Sequence, residues 1–83
     1  MVSAVEAYIL INCSPGGKLW AIVEAALEIK GVKAAHAVTG EYDVIAYGEF
    51  DGMEGLTDLI VKLQSLKEVQ RTRTAVAIPR RSE

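Results

Sequence analysis

The sequence predicts a small α+β domain with four strands and two helices in the order βαββαβ. Its 83 residues are 51% hydrophobic and 24% charged, a composition typical of a single folded domain. Apolar residues recur at spacings of three and four in two segments, and this pattern predicts two amphipathic helices. Four segments without that pattern, bounded by Gly, Pro or Asp, predict the strands.

The first half of the chain predicts a strand, a helix and a second strand. Residues 4–13 favour β-structure and have no helical stripe. Ser14 and Pro15 are predicted to begin the helix, because Ser caps free amide groups and Pro is tolerated at the first helical position. Gly31 is predicted to end it just after the C-cap, where a positive φ favours glycine, and residues 32–38 form the next strand. The helical stripe consists of Leu19, Ile22, Val23, Ala26 and Leu27.

The second half repeats this order after a tight turn at residues 39–41. A strand over residues 42–50 follows the turn closely, so the two strands are predicted to form an antiparallel hairpin. Asp51 and Glu54 have the spacing of a capping box at the start of the second helix. The stripe of that helix consists of Leu56, Leu59, Ile60, Leu63 and Leu66.

The fourth strand is predicted over residues 69–78 and ends before Pro79. Right-handed crossovers then give a four-stranded antiparallel sheet with both helices on one face, which is the ferredoxin-like fold. We predict one domain over residues 1–83, with a loose tail at residues 80–83.

The sheet face that the helices leave uncovered is predicted to be apolar. Strand alternation places Tyr8 and Leu10 of the first strand, and Ile45 and Tyr47 of the third, on that open face. Soluble monomers rarely expose such a patch. We therefore expect two subunits to pack sheet against sheet as a homodimer of the dimeric α+β barrel type. Scattered surface apolar residues are the alternative.

Composition and charge exclude several classes of protein. The net charge of −2 at pH 7 argues against a general binder of nucleic acid. A single cysteine allows no intrachain disulfide and indicates a reducing compartment. Since the sequence shows neither a secretory signal nor the roughly 20-residue apolar run of a membrane span, we expect a cytoplasmic protein that does not bind membranes.

No catalytic or metal-binding constellation is recognisable in the sequence. His36, the single histidine, and Cys13 cannot supply the several ligands of a metal site within one chain, and buried or half-buried structural positions are expected for both. Residues 14–18 (S-P-G-G-K) lack the spacing of a phosphate-binding loop and the Arg that an acylphosphatase needs. We expect no enzyme activity, no metal and no cofactor.

The polar hairpin loop at residues 38–43 is the best candidate for a ligand site. Gly40 allows a close approach to the backbone, Asp43 offers a carboxylate to an ammonium group, and free amides offer donors to a carboxylate. These features fit a small zwitterion. A tight turn stabilised by Asp43 is the alternative.

Three segments together carry a family resemblance: residues 38–43 (V-T-G-E-Y-D), 55–60 (G-L-T-D-L-I) and 69–74 (V-Q-R-T-R-T). With them, nearly the whole chain resembles the C-terminal RAM domain (regulation of amino-acid metabolism) of the Lrp/AsnC family. The resemblance implies dimers that assemble into octamers or other rings, with a small effector, usually an amino acid, held between dimers. The matching effector positions are Thr39, Gly40, Tyr42 and Asp43 in the loop, and Gln70, Thr72 and Thr74 on the last strand.

The resemblance also guides expectations about regulation. Alternation predicts that the three matching positions of the last strand share one face. Full-length members of the family carry an N-terminal helix-turn-helix, whereas this sequence starts at the first strand of the module. We therefore expect a stand-alone form that regulates transcription through a full-length Lrp/AsnC regulator and not by direct DNA binding. Glu41, Arg71 and Arg73 depart from the family's pattern, and we expect them to affect which effector is accepted.

Two other function classes remain open. A small dimeric α+β-barrel enzyme, such as a cofactor-free monooxygenase or isomerase, shares the fold and needs a pocket lined by His36 or Trp20. Trp20 is expected in the helix core, which disfavours this class. A pure oligomerisation module needs no pocket at all, and binding measurements separate it from an effector-binding module.

Overall fold

A computed structural model describes residues 4–80 of the chain. The predicted loose tail at residues 80–83 lies outside the described residues from 81 onwards. All six predicted elements are present, in the order β1 (Ala4–Cys13), α1 (Leu19–Leu27), β2 (Val32–Ala37), β3 (Val44–Asp51), α2 (Gly52–Gln64) and β4 (Val69–Val76).

The four strands form one sheet in the order β2-β3-β1-β4, and every neighbouring pair is antiparallel. The ferredoxin-like fold is therefore confirmed. The loop that connects β2 and β3 is longer than predicted, because β3 begins at Val44 and not at residue 42. The Val38 amide donates to the Asp43 carbonyl at 2.9 Å, which closes the connection and leaves residues 39–42 as a loop.

Helix α1 begins at Leu19, so the predicted start at Ser14 and Pro15 is wrong. Pro15 and Gly16 instead form the centre of a β-turn, in which the Gly17 amide donates to the Ser14 carbonyl at 2.8 Å. Gly16 has a φ of 77°, and glycine with positive φ after proline is the signature of a type II turn. The Pro-Gly pair thus imposes a turn, and the helix begins beyond it.

Two other predicted helix ends also differ in detail. The C-cap of α1 is Glu28, so Gly31 is not the residue after the cap. Gly31 instead lies in the turn before β2, where its φ of 99° requires a glycine. Asp51 does occupy the N-cap position of α2, but within residues 4–80 its side chain makes no capping hydrogen bond, so the predicted capping box does not form.

The core lies between the two helices and one face of the sheet. The α2 stripe is confirmed at Leu56, Leu59 and Leu63, which are buried, whereas Ile60 is half-buried and Leu66 lies beyond the end of the helix. In α1 the prediction fails at two places: Trp20 is 65% exposed and Leu27 is 49% exposed. A helix turns by about 100° per residue, so Trp20 points well away from the buried residues of α1. The strands and α1 contribute the rest of the core, namely Ala7, Ile9, Ile11, Ile22, Val23, Ala26, Ala35, Val44, Ala46 and Phe50.

Candidate functional site

The predicted effector residues lie at one end of the sheet, on both sides of strand β1. β1 is the neighbour of both β3 and β4, so the loop that precedes β3 and the first half of β4 border the same end of β1. Ile11, near that end, pairs with Val44 on one side and with Thr72 on the other. The fold therefore brings the two predicted segments to the same end of the molecule.

The loop is anchored to the end of β1 by three hydrogen bonds. The Cys13 amide donates to Oδ2 of Asp43 at 2.7 Å, and the Asp43 amide donates to the Ile11 carbonyl at 2.9 Å. Nδ2 of Asn12 donates to the Glu41 carbonyl at 2.8 Å. The half-buried Asp43 carboxylate thus has a structural role in holding the loop.

The tip of the loop is open to solvent. Thr39 and Gly40 are exposed, and Tyr42 is half-buried. Gly40 has a φ of 115°, and a Cβ atom there would meet no heavy atom within 4 Å. The loop therefore presents accessible backbone above a fixed base, which a ligand can approach closely.

The threonines of β4 lie on the helix side of the sheet. Thr72 pairs with Ile11 and Thr74 pairs with Ile9, and both isoleucines are buried against the helices. Nε2 of Gln64, at the end of α2, donates to Oγ1 of Thr72 at 3.1 Å. Thr72 is half-buried and Thr74 is exposed, so both remain at least partly accessible.

Gln70 occupies an irregularity in β4. The register shifts between the pairs Asn12–Arg71 and Cys13–Val69, so that Gln70 faces neither residue of β1. The simple alternation that predicted one shared face for Gln70 and the two threonines therefore stops at this bulge. Gln70 is exposed.

Two residues of this region were missed by the sequence analysis. Asn12 is a polar residue that directly follows the apolar run of β1, and this position at a strand end was a usable signal. Gln64 gave no signal, because its contact with Thr72 depends on how α2 packs over β4. Asn12 donates to the loop and Gln64 donates to Thr72 of β4, so both residues support side chains or backbone of the predicted site.

Cys13, whose amide anchors the loop, carries a thiol that lies close to Gly17. Cys13 is half-buried, and burial, followed by the charges of Asp43 and Glu68, raises the pKa of its thiol. Since the thiolate is the nucleophilic form, these neighbours lower the reactive fraction of Cys13 at neutral pH. The expected structural position of Cys13 is confirmed.

His36 is not buried or half-buried, contrary to the prediction. It is exposed and pairs with Ile45 on the open face of the sheet. In residues 4–80, neither the groove of about 510 Å³ nor the one of about 250 Å³ is lined by His36 or Trp20. The described part of the chain holds no group of three or more potential metal-binding side chains. None of its helices has the length and apolar character needed to cross a membrane.

The open face carries the apolar patch that the sequence predicts. Tyr8 pairs directly with Tyr47, and Leu10 pairs directly with Ile45. The two tyrosine rings lie 5.0 Å apart between centroids, and Tyr8 is 46% exposed. The four side chains therefore form one contiguous surface, which we call the apolar patch.

The phenol of Tyr47 connects the apolar patch to a carboxylate at its border. Its hydroxyl donates to Oε2 of Glu49 at 3.4 Å. Desolvation raises the pKa of Tyr47, and the charges of Glu6 and Glu49 raise it further. The phenol is therefore neutral at physiological pH, and Tyr47 adds no charge to the patch.

The ferredoxin-like fold with these loop and strand segments is the architecture of a ligand-binding domain found in regulatory proteins, as the family match shows. The family profile of the Lrp/AsnC ligand binding domain matches residues 6–83. The chain belongs to this family, as the three sequence segments indicated. No curated protein sequence matches the chain significantly.

Solved structures agree with this assignment. The Thermus thermophilus protein TTHA0845 shares 31% identity, with a TM-score of 0.85 over 95% of this chain and 99% of its own. Protein PHS023 of Pyrococcus horikoshii shares 36% identity, with a TM-score of 0.80 over 92% of each chain. The transcriptional regulator NMB0573 of Neisseria meningitidis, solved in complex with L-methionine, has the same fold at 17% identity and a TM-score of 0.80. The match covers 95% of this chain and 53% of the NMB0573 chain.

Proposed function

We propose that the chain is a self-associating regulatory module that binds an amino acid at the end of the sheet described above. The observation that carries the proposal is the meeting of the loop and strand β4 at the end of β1, within a domain of the Lrp/AsnC ligand-binding family. The effector-binding residues are Thr39, Gly40, Tyr42, Asp43, Gln70, Thr72 and Thr74.

The chemistry of these residues suits an amino acid. Exposed backbone at Gly40 and the hydroxyls of Thr39 and Thr74 supply hydrogen bonds to a carboxylate or an ammonium group. The L-methionine bound by NMB0573 supports this ligand class for a domain of the same fold. Tyr42 supplies an aromatic surface for an apolar side chain.

Isothermal titration calorimetry with each of the standard amino acids tests effector binding. We expect saturable heat with at least one of them, and about tenfold weaker binding of that ligand by Thr72→Val, which lacks the hydroxyl. Thr57→Val is the matched control, because Thr57 lies on α2 and donates to the Met53 carbonyl at 2.8 Å, away from the site. Absence of heat with every amino acid would refute the effector site and favour a pure oligomerisation module.

Self-association in this proposal uses the apolar patch of Tyr8, Leu10, Ile45 and Tyr47. Covering a patch that a monomer would expose to water stabilises the dimer, and a second copy presents the same surface. An effector that binds one assembly more tightly than another would shift the population between them. Light scattering is expected to give the mass of two or more chains, whereas the mass of one chain at all concentrations would contradict self-association.

Regulation of transcription is proposed to occur through a full-length Lrp/AsnC regulator that co-assembles with this chain. The net charge of −2 at pH 7 supports an indirect role, because DNA-binding domains present a clustered basic excess. A mobility-shift assay with duplex DNA is expected to show no complex with this chain alone at physiological salt. A specific, salt-resistant complex would contradict an indirect role.

A further inference from the structure

We propose that a second groove, at the opposite end of the sheet, binds a zwitterion with an apolar side chain. The groove has a volume of about 510 Å³ and lies between the α1–β2 connection, the end of β3 and the first turns of α2. Cavities of this size accommodate small molecules. The loop of the proposed effector site precedes β3, whereas the groove lies at its end, roughly 25 Å away along the eight-residue strand.

The floor of the groove is apolar. The side chains of Phe50 and Leu59 are almost completely buried beneath it, and Ile29 lies partly buried beside them. Gly31 and Gly55 line the groove without side chains that would project into it. This floor offers a surface on which an aliphatic or thioether side chain can lose its contact with water.

The walls of the groove carry opposite charges. Lys30 in the α1–β2 connection and Lys33 in β2 stand on one side, and Glu54 and Asp58 stand on α2, where Lys62 ends the acidic row. Glu49 and Asp51, at the end of β3, add two more acidic residues to the lining. A ligand whose carboxylate meets the lysines and whose ammonium meets the acidic side chains satisfies both walls at once. A purely anionic or purely cationic ligand satisfies one wall and faces the other with an unpaired or like charge.

The backbone holds these walls at a fixed separation. The Glu49 amide donates to the Gly31 carbonyl at 2.8 Å, which ties the α1–β2 connection to β3. Phe50 packs against Gly31 on one side and Gly55 on the other. A Cβ atom added at Gly31 would lie only 2.6 Å from the Phe50 ring. The groove is therefore preformed, which reduces the entropic cost of binding.

Amide chemical-shift titrations by NMR test this inference on the whole chain. The probes are L-leucine and L-methionine, each compared with the amine that lacks its carboxylate and the acid that lacks its ammonium group; for leucine these are 3-methylbutylamine and 4-methylpentanoate. We expect saturable shifts at the amides of Gly31 and Gly55 with an amino acid. The single-charge analogues are expected to bind at least tenfold more weakly.

A charge-reversal pair separates groove binding from general electrostatic attraction. Lys30→Glu with Lys33→Glu is expected to weaken the shifts at Gly31 and Gly55 at least tenfold. Lys18→Glu with Lys67→Glu changes the net charge equally, at exposed lysines outside the groove, and is expected to leave those shifts unchanged.

The pattern of shifts also distinguishes the two proposed sites. Shifts confined to Gly40 and β4 would overturn the groove and leave the proposed effector site standing. Shifts confined to the groove would support the groove and leave the effector site to the calorimetric panel, whereas equal binding of the single-charge analogues would overturn recognition of a zwitterion. No shift with either amino acid would overturn the groove, and the calorimetric panel would then decide the effector site by itself.

Discussion

At the scale of single residues, Asp43 has a structural role in addition to its proposed role in binding the effector. Its Oδ2 atom accepts the Cys13 amide at 2.7 Å, so the carboxylate fixes the loop to the end of β1. The same loop presents Gly40 to solvent. The sequence could identify Asp43 as important but could not separate its binding role from its structural one, because both require a carboxylate at this position.

Replacing Asp43 with alanine is expected to destabilise the fold. The substitution leaves the half-buried Cys13 amide without its charged acceptor, at a cost of about 2 kcal/mol in the free energy of unfolding. Urea denaturation measures this change. Glu41→Ala, in the same loop but with an exposed side chain, is the control and is expected to change stability by less than about 0.5 kcal/mol. Equal stability of Asp43→Ala and the wild type would show that the hydrogen bond has no structural role.

The reactivity of Cys13 gives an independent measurement of the same contact. The negative charge of Asp43 contributes to the raised pKa of the thiol, so Asp43→Asn is expected to lower that pKa and to increase the thiolate fraction at mildly alkaline pH. The pH dependence of iodoacetamide alkylation reports the pKa directly. If the pH profile of alkylation is unchanged in Asp43→Asn, or shifts to higher pH, the assigned contribution of Asp43 to the pKa of the Cys13 thiol is wrong.

At the scale of the elements, the packing of β3 and α2 depends on glycines around Phe50. A Cβ atom at Gly48 would lie 2.5 Å from Cζ of Phe50 and 2.7 Å from the Gly31 carbonyl oxygen. Gly48 is on the buried side of β3, where a larger residue would normally fill the core. The ring of Phe50 fills that space instead, so the glycine and the aromatic residue are complementary.

Gly48→Ala is therefore expected to destabilise the protein by overpacking, by about 1–3 kcal/mol. In a double-mutant cycle, adding Phe50→Leu should recover part of this loss, because the smaller side chain makes room for the new methyl group. Thermal or urea unfolding of the four proteins measures the coupling. Strictly additive effects would show that the Phe50 ring is not what limits the space at Gly48.

The sequence predicts correctly those features that depend on a local pattern, but not the helix start and side-chain exposure that depend on packing. Helix α2 has thirteen residues, and the burial of its stripe at Leu56, Leu59 and Leu63 followed directly from their spacing. Helix α1 has nine residues, and its start was mistaken because Ser14 and Pro15 fit both a helix cap and a turn. The positive φ of Gly16 resolves that choice, and the exposed position of Trp20 follows from its place on the outer side of α1.

At the scale of the whole molecule, the order β2-β3-β1-β4 has two consequences. It brings the loop and β4 together at one end of β1, which the sequence alone could suggest only through the family resemblance. It also leaves the central strands β1 and β3 with an uncovered face, where alternation correctly placed the apolar patch. The bulge at Gln70 could not be foreseen, because a register shift depends on the pairing between strands.

We propose that this module functions as an assembly whose subunits associate through the apolar patch. Sedimentation velocity of the wild type, Ile45→Glu and Val61→Glu tests it most directly. Both variants exchange an apolar residue for glutamate, but Ile45 lies in the patch and Val61, which is 60% exposed, lies on α2. We predict that the wild type and Val61→Glu sediment as dimers or larger species and that Ile45→Glu sediments as a folded monomer. A wild type that sediments as a monomer, or an Ile45→Glu variant as large as the wild type, would contradict the account.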